Sequence, residues 1–224
     1  MTPVNIVEKA SSLGINIIAI CDHNSAENTE PAINLGKKKG ITVLAGMEIT
    51  SSEEVHILGL FSRRLDALEM QQAVYAALQP GENDEEAFGM QVVVNEDDEV
   101  LGFNKRLLIG ATTLPVKEII GLVHESGGLA IASHIDREGF GIIGQLGFIP
   151  SDLEFDALEI SRRTAPEQAD ALFGQYRNFP WIYSSDAHRI GEVGTITTGF
   201  LMEHATFDEM RQALQGIGGR KIVP

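Results

Sequence analysis

Three apolar runs in this chain each end abruptly in residues that carry chemistry. Ile17-Ile18-Ala19-Ile20 leads into Cys21-Asp22-His23-Asn24. Leu129-Ala130-Ile131-Ala132 leads into Ser133-His134, and Trp181-Ile182-Tyr183 precedes Ser185-Asp186-Ala187-His188. Short unbroken runs of this kind read as buried parallel strands. A residue just past such a strand lies on the C-terminal rim of the sheet, where the sites of α/β folds are assembled.

The same patterning sets out the remaining elements. Thr2 caps a helix with Pro3 in its first turn, and Val4, Ile6, Val7, Ala10 and Leu13 supply its apolar face before Gly14 ends it. A strand over 15–21 follows, then a helix near 32–39 closed by Gly40. A strand over 41–45 leads into Gly46-Met47-Glu48, and another covers 54–60. Residues 66–78 form a helix. The rhythm then breaks between Gln79 and Thr112, where 91–94 and 100–103 flank an acidic turn and form a hairpin. That segment reads as an insertion. Thr113 caps the next helix, which begins at Pro115 and stops at Gly127-Gly128. Further strands are expected near Leu129 and over 156–160, 181–184 and 197–202, with a last helix over 207–214 capped by Thr206. The alternation predicts one α/β domain, residues 1–224, with a parallel sheet.

Composition narrows the partners. The net charge is −15, and no basic stripe offsets it. A surface that tracks a polyanion needs such a stripe, so a long nucleic acid is disfavoured while a small phosphorylated substrate is not. No apolar run approaches the roughly 20 residues that span a bilayer, so no membrane partner is expected. The first residues have no basic region of the secretory type. The single cysteine, Cys21, allows no internal disulfide and fits a cytoplasmic location.

Of six histidines, His124 falls inside a helix and His204 in an ordinary loop, and both read as structural. His23, His56, His134 and His188 lie at strand ends beside polar neighbours. With Glu48 and Asp186 they make one candidate metal site, since neutral imidazole and carboxylate together suit Zn, Mn or Fe. Glu48, on the loop after its strand, has two oxygens and can bridge two ions, the clamp used in phosphoester hydrolysis. Arg162, Arg163 and Arg189 follow predicted strands and are candidate phosphate-binding residues. Cys21 ends a buried strand and reads as an inert thiol. No nucleophile elbow, Walker loop or dinucleotide fingerprint is present.

The ordered set of phrases resembles the polymerase-and-histidinol-phosphatase (PHP) family over nearly the whole chain. Ile18 to Asn24 resembles its second motif, and Gly46-Met47-Glu48 with Val55 to Gly59 its third. Gly127 to His134 and Ser185 to His188 resemble the later ones. The resemblance implies a distorted (β/α)7 TIM-like barrel and a phosphoesterase that uses up to three Mn, Zn or Fe ions and metal-activated water. It implies that Glu48, His56 and His134 share one metal, that His23 and His188 share another, and that Glu48 and Asp186 belong to a third. Glu48, His134 and Asp186 would then be catalytic. One departure stands out. The family's first strand ends in a His-x-His pair followed by an Asp, and nothing here matches it. The expectation is a barrel lacking its first strand, with fewer metals than three and an open edge through which the chain can self-associate. Two rival readings remain: a non-catalytic metal-binding or regulatory domain of the same descent, and a zinc hydrolase of C–N bonds.

Overall fold

The computed structural model describes residues 1–223 of the 224. In chain order the elements are α1 (Pro3–Ser12), β1 (Ile17–Ile20), α2 (Thr29–Lys39), β2 (Thr42–Thr50), β3 (His56–Phe61) and α3 (Arg64–Ala77). The middle of the chain gives α4 (Glu85–Phe88), β4 (Val92–Val94), β5 (Val100–Phe103), α5 (Val116–Glu125), β6 (Leu129–Ala132) and α6 (Ile142–Leu146). It closes with β7 (Ala157–Ser161), α7 (Pro166–Phe173), β8 (Trp181–Ser184), β9 (Gly199–Leu201), α8 (Phe207–Gln215) and β10 (Lys221–Val223).

Six strands form the main sheet, in the order β1-β2-β3-β6-β7-β8, curled as an open half-barrel. The expected all-parallel sheet is corrected to a mixed one, because β3 runs antiparallel to both β2 and β6. The physical reason is the length of the β2–β3 connection. Only Ser51 to Val55 join the two strands, which suffices for a hairpin and not for a crossover. The reversal matters for the site. It brings the first residue of β3, His56, opposite Thr50 at the end of β2, so His56 reaches the rim from the opposite chain direction.

Two apolar layers cover the sheet. On the outer face, Met47, Ile49, Ile57, Ala130, Ala132, Leu158 and Ile160 pack with Met70 and Val74 of α3 and Ile119 and Val123 of α5. On the inner face, Leu44, Leu60, Leu129, Ile131 and Ala157 pack against Phe207, Met210 and Leu214 of α8, with Phe200 and Ile222 beside them. A third cluster joins α1 and α2 to Ile20 and Val43. Strand alternation puts Glu48, His56 and Glu159 on the same face as Leu44, Leu60 and Ala157. The inner face is thus apolar where α8 fills it and polar towards the rim.

Several caps are those the sequence marks. Thr2 accepts from Asn5 N–H at 3.4 Å and Thr206 from Glu209 N–H at 3.3 Å. Thr113, by contrast, donates to the carbonyl of Ala77, and α5 is capped from a distance by the Glu53 carboxylate, which accepts from Val116 N–H at 3.1 Å. The strand expected at 197–202 forms, but β9 pairs antiparallel with β10 in a separate two-stranded sheet. β4 and β5 make the expected antiparallel hairpin, also apart from the main sheet.

The edges of the main sheet differ. At β8, the Thr198 hydroxyl accepts from Tyr183 N–H at 2.7 Å and donates to Tyr183 C=O at 2.8 Å, which blunts that edge. β1 pairs only with β2 among the described residues. No helix of those residues is long and apolar enough to cross a membrane.

Candidate metal centre

Three elements bring three donor atoms into a nearly equilateral triangle. Glu48 Oε1 lies 3.3 Å from His56 Nδ1 and 3.3 Å from His134 Nε2, and the two nitrogens are 3.3 Å apart. Glu48 comes from inside β2, not from the loop after it: β2 continues through Gly46 and Met47 because β3 pairs along its full length. Gly46 is what permits this, since a Cβ there would sit 2.7 Å from Cys21 Sγ and 2.9 Å from Leu60 Cδ2. His134 directly follows the rim residue Ser133, at φ 28°.

The other Glu48 oxygen faces a fourth donor. Oε2 lies 3.3 Å from His23 Nδ1, and the His23 and His56 rings are 5.2 Å apart. One carboxylate therefore turns one oxygen to His56 and His134 and the other to His23. Glu48, His56 and His134 are buried, and His23 is half-buried.

The electrostatics favour the deprotonated donor set. Burial alone would raise the Glu48 carboxyl, but hydrogen bonds from His134 and His56, with the nearby His23, hold it well below its ordinary value. Burial lowers His23, against the pull of Glu48, so its imidazole is neutral at neutral pH. Neutral imidazole and ionised carboxylate are the forms that ligate a metal.

The residues fit a divalent ion. Bonds of roughly 2.0–2.2 Å in a tetrahedral site imply donor separations of about 3.3–3.6 Å, as this triangle shows. Two imidazoles and a carboxylate also leave a position open, the pattern of catalytic rather than structural sites. His23 Nδ1, which faces Glu48 Oε2, is buried and has no hydrogen-bond partner, consistent with a site built for something other than protein.

Asp186 and His188 lie next to this group without joining the triangle. The His188 ring is 6.3 Å from that of His23 and largely exposed, and its Nδ1 is 3.5 Å from Asp186 Oδ1. Asp186 Oδ2 is held by Arg137 at 2.5 Å. Arg162, Arg163 and Arg189 line a cavity of about 440 Å³ that Asp186 and His188 also border. His124 pairs with Asp156 at 2.8 Å, and His204 sits in an exposed loop, both away from the site. The Cys21 thiol is pushed up by burial and by carboxylates including Glu48 and Glu159, which makes it a poor nucleophile.

Two residues here are not among the sequence candidates. Arg137 lies three positions after His134, and a cation that close to a rim histidine is a signal that can be read. Glu159 is buried in β7, where burial, with Glu48 and Asp186 nearby, pushes its carboxyl up to about 7. Its signal is an acidic residue inside the apolar run Ala157-Leu158-Glu159-Ile160.

A PHP domain family model matches residues 1–218. The chain belongs to the PHP domain family. The fold agrees. Endonuclease Q of Pyrococcus furiosus, a lesion-specific endonuclease, superposes with a TM-score of 0.72 at 19% identity, over 99% of this chain and 53% of its own. A protein of Bifidobacterium adolescentis assigned as a metal-dependent phosphoesterase superposes with a TM-score of 0.63 at 20% identity, over 94% of this chain and 89% of its own. In sequence, a 5'-3' exoribonuclease of Haemophilus influenzae is 33% identical over 63 residues, which is 27% of this PHP chain and 23% of that enzyme. This PHP chain thus spans about half of endonuclease Q and about a quarter of the exoribonuclease.

Proposed function

We propose that this chain is a phosphoesterase acting on a small phosphorylated substrate, with a divalent ion held by Glu48, His56 and His134. The observation that carries the reading is the 3.3 Å triangle of their donor atoms. Held by these residues, a Mn, Zn or Fe ion would supply Lewis acidity toward a phosphoryl oxygen and water. Within this chain, Glu48 Oε2 and His23 Nδ1 would hold a further ion. Asp186 and His188 stand on the open side, where the reacting phosphoryl group would enter. Guanidiniums beyond them, Arg162, Arg163, Arg189 and Arg137, bind substrate phosphate.

The acidic net charge weighs against a long nucleic acid as substrate, since the −15 chain would repel it. The six-stranded, half-barrel sheet supports reading the fold as a distorted seven-stranded barrel with one strand position unfilled, and 79–112 as an insertion into it. A lone cysteine fits a reducing, cytoplasmic setting.

The test is hydrolysis of p-nitrophenyl phosphate by purified protein with and without added Mn. Hydrolysis should depend on the metal, stop with chelator, and fall strongly in His134→Ala while persisting in His204→Ala. Equal rates in the two variants would remove the assignment.

A further inference from the structure

One loop grips His56 from both sides of its backbone. The His56 C=O accepts from Ser133 N–H at 3.1 Å, and the His56 N–H donates to Phe140 C=O at 2.9 Å. Between those two contacts the loop carries His134, a second member of the triangle. Phe140 also lays its ring on the His56 imidazole. The ring centroids are 4.4 Å apart and the planes are inclined by 15°, a stacked pair. Phe140 is 38% exposed and His56 only 6%, so the phenyl ring stands between that imidazole and water.

The stack supplies an orientation that hydrogen bonds do not. A metal-ligating histidine is ordinarily oriented by a hydrogen bond from its second ring nitrogen. The close polar contacts of the His56 ring all use Nδ1, the atom that faces Glu48 and His134. Its Nε2 has no hydrogen-bond partner among the described residues. The His23 and His134 rings meet the imidazole edge to face, at centroid distances of 5.2 and 5.3 Å. Together with Phe140 they leave it little room to turn.

Phe140 holds this place against its own backbone preference. It sits at φ 61°, where a bulky side chain is an outlier and glycine is at ease. Gly139 and Gly141 flank it. The coil around it is tight, since a Cβ on Gly141 would sit 2.3 Å from Arg137 O and one on Gly144 2.2 Å from Glu138 O. A glycine at position 140 would make the same turn without strain. A strained residue beside a site points to a task for its side chain. We propose that Phe140 is a positioning residue of the metal centre. Its ring clamps the His56 imidazole so that Nδ1 stays turned to Glu48 and His134, and it does so from a backbone that favours glycine. Phe140 acts through His56 and not on the reacting group. The inference rests on the reading of Glu48, His56 and His134 as a divalent-ion site, and is independent of which ester is hydrolysed.

The test measures two quantities in Phe140→Gly, Phe140→Ala and Phe140→Tyr: Mn affinity by electron paramagnetic resonance, and thermal unfolding of the metal-free protein. Glycine and alanine both remove the ring, but only glycine relieves the strain at φ 61°. Metal-free Phe140→Gly should therefore melt above Phe140→Ala, whereas both should bind Mn at least about tenfold more weakly than wild type. Phe140→Tyr keeps the flat face and should bind Mn as wild type does. Mn affinity that recovers in Phe140→Gly along with the melting temperature would make the ring a brace of the loop alone, and would overturn the proposal. So would wild-type affinity in Phe140→Ala, or Phe140→Tyr binding as weakly as Phe140→Ala. A Phe140→Gly protein that melts no higher than Phe140→Ala would remove the strain on which the proposal stands. Wild-type protein that binds no Mn would take the metal site down together with the clamp. Wild-type protein that binds Mn, with all three variants equal to it, would remove the clamp and leave the site.

Discussion

His56 Nδ1 and His134 Nε2 meet at 3.3 Å although 78 positions separate them in the chain. The register explains the meeting. β3 and β6 pair antiparallel, with Ile57 opposite Ala132, so the first residue of one strand and the rim residue after the other come together. Ser133 N–H donates to His56 C=O at 3.1 Å and locks that corner. Glu48 then closes the triangle from β2.

Metal should therefore bind at this corner and stabilise the fold. Ligand at a hundred times its dissociation constant adds about 2.7 kcal/mol to unfolding free energy. Mn or Zn should raise the melting temperature of the wild type, and chelator should reverse it. In His134→Ala the rise should vanish, and bound metal by elemental analysis should drop at least about tenfold. His204→Ala, in a loop away from the triangle, should keep both. A wild-type melting temperature indifferent to every divalent ion tried would refute the site.

Much of this corner was legible in the sequence, for a physical reason. His23, His134, Asp186 and His188 each follow an apolar run, and the end of a buried strand is a local property of the chain. His56 was legible as a polar intruder in an apolar run, but its placement was not. That depends on β3 running antiparallel, which follows from the short Ser51–Val55 turn and contradicts the parallel alternation of the other strands. The apolar run alone places Glu48 on a loop, because β2 outlasts that run by pairing with β3. The pairing of β9 with β10 was not legible at all, since a short strand carries no mark of which sheet it joins. Glu159 is marked as an acidic residue inside an apolar run, but its role comes from neighbours distant in sequence.

Asn24 ties the rim to the 79–112 segment. Its side-chain amide donates to the carbonyls of Leu108 and Gly110, both at 2.8 Å, and its oxygen accepts from Thr50 N–H at 3.1 Å. The residue is fully buried and sits at φ 50°, a conformation asparagine tolerates better than most. Asn24→Ala orphans the buried Thr50 N–H and the buried Leu108 carbonyl, at about 1–3 kcal/mol for each buried group left unsatisfied, and frees the part-buried Gly110 carbonyl. We expect a loss of at least about 2 kcal/mol in urea unfolding, and faster proteolysis within 79–112. A variant within about 0.5 kcal/mol of wild type would show that the amide is not the tie.

The free side of β1 should allow self-association. β8 is blunted by Thr198, whereas β1 has no second strand partner among the described residues. Unpaired backbone groups on a strand template pairing with another chain. Sedimentation velocity should show a reversible, concentration-dependent dimer in the micromolar range. A single monomeric species across that range would mean that the edge is covered in solution.

Glu159 gives the protein a pH dependence of its own. Its carboxyl is buried in β7, and burial, with Glu48 and Asp186 close by, raises it from an ordinary 4.5 to about 7, against the opposing pull of His134 and Ser184. Below pH 4.5 the group is protonated in folded and unfolded chain alike, and it costs nothing. Between 4.5 and 7 the unfolded chain releases the proton while the folded chain keeps it, so stability falls as pH rises. Above 7 the loss is complete and amounts to roughly 3 kcal/mol. Glu159→Gln removes the titration and keeps the shape. In metal-free protein the variant should be more stable than wild type at pH 8 and should approach it near pH 4.5. His23, lowered by burial, tilts the same pH range the other way, but it does so in both proteins and cancels in the difference. Urea unfolding at intervals from pH 4.5 to 8 measures that difference directly. A constant gap between the two proteins across the range would mean that Glu159 does not hold a proton in the folded state.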